Sequence, residues 1–247
     1  MKFSAAIIAL SQAASVTELN RKVASAQTEI ANGARADGNA LLIQQLLEFY
    51  LNAAGHNTGK ADQMLNYGCY CQLLEQRRVG LGTPVDGLDE ICQRYQRCTQ
   101  CVAHDQEGSL VTVSGEQVAC NWENGRYEIS FDAGTGRVDC SNNNGCGKKL
   151  CSCDDELAFE MANNFELFET AHSSLRGFEF ADECLPSSPP PGQGPGRGDL
   201  QCCGDYPARF PYHDKNGERD CCVDKVFNTA EKTCCNNGAL VLTGDSC

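Results

Sequence analysis

The sequence is short of positive charge. Its 20 Lys and Arg face 33 Asp and Glu, a formal net charge of −13. That excludes the partners that basic patches recognise, nucleic acid backbones and anionic membrane surfaces. Calcium ions, mineral surfaces and zwitterionic lipids stay compatible with it. Long apolar runs are also missing: beyond the first ten residues, no stretch is long and apolar enough to span a bilayer. No N-x-S/T sequon occurs, so N-glycosylation is not expected. Cysteine, by contrast, is abundant, at 18 in 247 residues. An even number at this density marks an oxidising compartment and a disulfide framework. The opening MKFSAAIIALSQAAS has the form of a secretory signal: Lys2, a short apolar run from Phe3 to Leu10, then small residues. Residues 1–26 are assigned to this signal peptide, with cleavage near Ala14 or at Ala24-Ser25-Ala26 and a pro-segment extending to about 38. The expected destination is extracellular.

Along the chain, Leu42, Ile43, Leu46, Leu47, Tyr50 and Leu51 recur at helical spacing, and Gly55 ends that helix. Pro84 and Asp86 are placed to start a second helix running to about His104. Residues 106–119 read as loop. Tyr127–Phe131 and Arg137–Cys140, separated by DAGTG, read as a β-hairpin. A third helix is predicted from Cys151 to about Phe168. Residues 185–201 are a Pro/Gly linker that cannot pack a core, so the tail from Cys202 to Cys247 is expected to move independently.

Residues Asn66 to Cys98, NYGCYCQLLEQRRVGLGTPVDGLDEICQRYQRC, carry the most information. They resemble the core signature of secreted phospholipases A2, Y-G-C-Y-C-G-x-G-G-x-G-x-P leading into D-x-x-L-D-x-C-C-x-x-H-D-x-C. The likeness extends over about residues 39–184 and includes Cys151-Ser-Cys153-Asp154. It implies a mainly α, disulfide-rich fold of antiparallel long helices with a β-wing hairpin, followed here by a small cysteine-rich β module. It also implies the bridges Cys71–Cys92, Cys98–Cys153, Cys120–Cys146 and Cys140–Cys151, with a precedent for Cys69–Cys184. Cys101 is then left for the tail, whose seven cysteines are odd in number. With Cys98 opposite Cys153, the antiparallel register puts Ile91 opposite Glu160. Those are the two positions of a further family bridge, and both cysteines are missing together.

The catalytic positions depart from the pattern. Where the family has its general-base His, this chain has Tyr95, and where it has its calcium-binding Asp, this chain has Gln96. Histidine suits proton abstraction because its pKa lies near neutrality, whereas a phenol near 10 stays protonated and only donates. Asp154 matches the carboxylate that orients the base, and Tyr127 matches a tyrosine partner of that carboxylate. The second such tyrosine is replaced by Thr99. The resemblance places the vestigial calcium positions at Tyr70, Gln72, Val79 and Gln96. A cation that takes six to eight oxygens, normally with a carboxylate among them, loses its anionic ligand here. Arg77 and Arg78 add repulsion nearby, so no metal is expected. His104 and Asp105 repeat the family's Cys-x-x-His-Asp spacing one stretch later. Nine residues past Tyr95 on one helix, His104 is half a turn out of phase, roughly 13.5 Å further along. It is expected to be a surface residue at the helix end; the rival is a repositioned base.

In the tail, Cys202-Cys203, Cys221-Cys222 and Cys234-Cys235 with a final Cys247 resemble the di-cysteine repeats of galaxin-type matrix proteins. Asn216-Gly217 and Asn237-Gly238 give turn signals. Zinc is the rival for such clusters, but His213 is the module's single histidine. Arg197-Gly198-Asp199 in the linker is an integrin-type tripeptide. The resulting expectation is a secreted phospholipase A2-like protein without catalysis, a binding or extracellular matrix component that meets phospholipid, matrix or mineral. The alternatives are a divergent calcium-dependent phospholipase A2 acting on the sn-2 ester, and an adhesion or biomineral-associated protein.

Overall fold

The computed structural model describes residue 21 and residues 38–74, 79–113, 115–132, 135–143, 145–186 and 198–247. All of the expected signal peptide except residue 21, most of the linker, Arg77, Arg78 and Arg197 lie outside these residues.

Three helices organise the first part. Helix α1 (Gly38–Ala53) follows the predicted periodicity and buries Leu42, Ile43, Leu46, Leu47 and Leu51. Helix α2 (Gly87–Asp105) starts at an extended Asp86, whose carboxylate accepts the Leu88 and Asp89 N–H groups. Helix α3 (Gly145–Asn163) begins six residues before the predicted Cys151. The two glycines there argue against helix by propensity alone. Packing overrides it, because a Cβ at Gly147 would stand 2.6 Å from the Arg126 carbonyl oxygen and Cys146 is bridged to Cys120. The helix stops short of Phe168 as the Asn164 side chain turns back onto the Glu160 carbonyl.

Helices α2 and α3 are joined by Cys98–Cys153, and Arg94 pairs with Glu160. Position 160 therefore lies against the stretch of α2 next to Ile91, in the expected register. Helix α1 is fixed to α3 by Tyr50, which donates to Asp155, a carboxylate also held by Arg137.

Among the described residues, every sheet is two-stranded and antiparallel. Strands β1 (Asn66–Tyr67) and β2 (Cys71–Gln72) flank the Gly68 turn. Strands β3 (Leu110–Val113) and β4 (Glu116–Ala119) form a hairpin where a loop was expected. Leu110 and most of β4 are exposed and Val111 is only partly buried, so little alternating pattern was left to read. Strands β5 (Ser130–Asp132) and β6 (Arg137–Asp139) are the predicted hairpin, slightly shortened.

The tail contains three hairpins, β7 (Leu200–Cys203) with β8 (Phe210–His213), β9 (Arg219–Cys222) with β10 (Lys225–Asn228), and β11 (Lys232–Cys234) with β12 (Leu240–Leu242). All 18 cysteines are paired. The four family bridges and Cys69–Cys184 are present, and Cys101 joins Cys202. Cys203–Cys221 and Cys222–Cys234 then link each repeat to the next, and Cys235–Cys247 closes the last.

The expectation of an independently moving tail is corrected here. Beyond the Cys101–Cys202 bridge, Arg209 grips the Asp105 carboxylate with Nε at 2.8 Å and Nη2 at 3.2 Å, and the Tyr206 hydroxyl donates to it at 3.0 Å. Two cations, Arg209 and Lys149, sit at the carbonyl end of α2, where the helix dipole favours them. A linker's composition governs its own stiffness and carries no information about what its ends bind.

Candidate functional site

Helix α2 presents its side chains to a cavity of about 460 Å³, in the size range of a site for one small ligand. Tyr70, Gln72, Tyr95, Gln96, Trp122 and Pro211 are among the residues around it. The segment facing α2 is held by Asp89, a buried carboxylate that accepts the N–H groups of Cys69, Tyr70 and Val85. Gly68 (φ +53°) is needed at that turn, because any Cβ would collide with the Asp89 carboxylate at 2.5 Å. Burial raises the Asp89 pKa, against the pull of those three N–H groups.

Tyr95, Asp154 and Tyr127 meet beside the middle of α2. Tyr127 donates its hydroxyl to Asp154 Oδ2, and the Tyr95 hydroxyl lies close enough to interact with the same carboxylate. Burial pushes Asp154 up to about 7, opposed by the hydroxyls of Tyr127 and Tyr95 and assisted by the charge of Asp155. Burial first, then the adjacent carboxylate, drives both tyrosines well above their ordinary value. Each phenol therefore stays protonated, Tyr127 donating to Asp154, and neither can take a proton from water at neutral pH. Asp154 Oδ1 is buried without a hydrogen-bond partner among the described residues. Thr99 is turned to the Gln96 carbonyl and lines the cavity.

The calcium positions have a different arrangement. The Gln96 amide spans the loop: Oε1 accepts the Gly80 N–H at 2.7 Å, and Nε2 donates to the Tyr70 carbonyl at 2.6 Å. The Tyr70 ring lies over Gly80, where a Cβ would come within 1.9 Å of it, and its hydroxyl donates to the Gly82 carbonyl. Gln72 is fully buried and donates back to the Gly68 carbonyl, while Val79 stands 87% exposed. A cation here would meet an N–H donor where it needs an oxygen, and the Tyr70 carbonyl is already engaged. These residues do not fit calcium.

The four positions are therefore near one another, but only Tyr70 and Gln96 are joined, and they are joined directly. His104 lies in the last turn of α2, and its neighbour Asp105 is taken by the tail. Sequence reasoning missed the bridging role of Gln96, the presence of Trp122, and Pro211 from the tail. An amide's ability to donate and accept at once was the available signal for the first. Nothing local pointed to the last.

The phospholipase A2 family model matches residues 46–172. Basic phospholipase A2 nigroxin A of Micrurus nigrocinctus is 31% identical over 103 residues, 41% of this chain and 71% of its own length. Basic phospholipase A2 homolog LmutTX of Lachesis muta muta is 28% identical over 119 residues, 48% of this chain and 81% of its own. The phospholipase A2 of Bos taurus is 35% identical over 94 residues, 38% of this chain and 55% of its own. The matched span runs from within α1, through the bridged pair α2 and α3, to His172, a little over half of the 247 residues, and on that span the chain belongs to the phospholipase A2 family.

Proposed function

We propose that this protein keeps the family's cleft as a binding site for a phospholipid-like amphiphile and does not hydrolyse it. One observation carries the reading: the position of the base holds Tyr95, a phenol buried beside Asp154 that stays protonated and cannot take the water's proton as a histidine would. The Gln96 amide supports it by closing the loop without a cation. Vestigial roles are assigned accordingly to Tyr95, Asp154 and Tyr127 at the catalytic positions, and to Tyr70, Gln72, Val79 and Gln96 at the calcium positions.

The setting we infer is extracellular. Nine disulfides require oxidising conditions, and among the described residues no helix is long and apolar enough to cross a membrane. We assign 1–26 to a signal peptide, 39–184 to the phospholipase A2-like domain, 185–201 to a linker and 202–247 to a galaxin-like module suited to a matrix. Its three hairpins, each linked to the next by vicinal cysteines, support that likeness. Gly198 and Asp199 of the adhesion tripeptide are exposed.

The test is fatty acid release from zwitterionic vesicles, with millimolar calcium and with chelator, for the wild type and Tyr95→Phe. No release above background is expected in any arm. Calcium-dependent release by the wild type, well above Tyr95→Phe, would establish the second reading, a divergent hydrolase. That reading is favoured by the intact Asp154–Tyr127 pair.

A further inference from the structure

We propose that the C-terminal module builds one wall of the cleft, and that Pro211 is the residue that limits its width. Pro211 lines the cavity together with α2 residues such as Gln96, Gln100 and Ala103, and with Trp122. Its position is determined by a short chain of fixed links. Cys101, two residues before Ala103 on α2, is bridged to Cys202 on β7. Cys202 pairs directly across the hairpin with Pro211 on β8, which puts their backbones within about 5.5 Å. Two residues before Pro211, Arg209 is anchored to Asp105 at the end of the same helix. Tyr206 adds a hydroxyl to Asp105 and packs its ring on the helical core.

One side of the cleft belongs to α2, Tyr70 and Gly80 face it, and the remaining rim at Pro211 is fastened to α2 from beyond the linker. Proline suits the wall position: it has no N–H to leave unpaired on a two-stranded edge, and its ring is rigid. A wall so fixed selects the occupant by width. Removing the phospholipase-type domain from its tail would widen the site as well as shorten the chain. The selection of a ligand rests on the binding role proposed above; the wall itself does not, because the protein carries its own reporter. Trp122 is the only tryptophan in the 247 residues, and it lines this cleft.

Acrylamide quenching of Trp122 in the full-length protein tests the wall without any ligand. The module is released by the triple variant Cys101→Ser, Cys202→Ser, Arg209→Ala, which leaves no unpaired thiol. Pro211→Ala serves as a milder variant with every bridge kept. The quenching constant is expected to rise about twofold or more on release, with red-shifted emission, and by a smaller step in Pro211→Ala. Unchanged quenching in both variants would overturn the proposal. Titration with monomeric lysophosphatidylcholine, followed by calorimetry, is the second arm. Pro211→Phe is expected to weaken binding tenfold or more at unchanged melting temperature. No binding by the wild type, with the Trp122 response intact, removes the amphiphile reading and leaves the wall standing. Binding that is indifferent to Pro211→Phe and to release sinks the wall and leaves the amphiphile reading.

Discussion

The helical domain buries a continuous apolar cluster running from Leu42 to Ala162, whereas the C-terminal module buries little besides Cys203, Cys222, Cys235 and Phe227. The first region is shaped by packing that disulfides reinforce. The second is shaped by disulfides with almost nothing beneath them, as a unit of its size requires. The difference shows where each region is vulnerable. Truncating an apolar side chain should harm one, and removing a bridge should harm the other.

The largest effect is expected in the core. Leu157 is 2% exposed within the helical cluster, and Leu157→Ala should lower the stability of the helical domain by roughly 2–5 kcal/mol through lost burial and a residual cavity. Denaturant unfolding, read by helical circular dichroism, measures this. Amide protection in β9–β12 should stay as it was; its loss would show that the two regions unfold together. Next comes the paired substitution Cys222→Ala, Cys234→Ala, worth about 3 kcal/mol for a loop of this length. With no core to fall back on, β9 to β12 should lose hydrogen-exchange protection while α1, α2 and α3 keep theirs. Persistent protection in β9 to β12 would mean that the module has packing not evident from its burial.

The smallest effect tests the joint between the regions. Burial alone would raise Asp105, but the hydrogen bonds of Arg209 and Tyr206, with the charges of Arg209 and Lys149, hold it below the ordinary carboxylate value. A depressed folded-state pKa means that the contribution is present above 3.8, the ordinary value, and is lost as the pH falls below it. Acidification through that range should therefore loosen β7 and β8 from α2, visible as faster exchange at Phe210–His213, with the Cys101–Cys202 bridge keeping the module attached. Asp105→Asn should show the loosened state already at pH 7 and respond no further to acid. An acid response equal in Asp105→Asn and the wild type would exclude Asp105 as the cause.

The same contrast explains how much was legible in the sequence. Helix α1 could be read because its buried face writes a period of three to four into residues such as Leu42, Leu46 and Leu47, and α2 from the start signals at Pro84 and Asp86. The bridges of the helical domain followed from a resemblance anchored at Tyr67–Cys71 and Gly82–Cys98. Hairpin β3–β4 is largely exposed, with Val111 only partly buried, and left little pattern. The early start of α3 depended on a neighbouring backbone at Arg126, invisible to propensity. At the site, the substitutions at 95 and 96 were plain, but the double hydrogen bond of Gln96 needed the loop's coordinates. The Asp105–Arg209 contact spans a sequence separation of 104, and no local feature of either residue announces the other.

The succession of bridges from Cys101 through Cys202-Cys203, Cys221-Cys222 and Cys234-Cys235 to Cys247 also has a mechanical meaning. A pull on the C-terminus does not have to peel hairpins apart one at a time and then stretch residues 185–201. Tension passes from sulfur to sulfur, across each vicinal pair, and enters the domain at α2 beside the cleft. The linker lies outside this load path. An anchored tail would therefore transmit force to the wall at Pro211 before the domain yielded, and what the cleft holds would be coupled to how hard the protein is pulled.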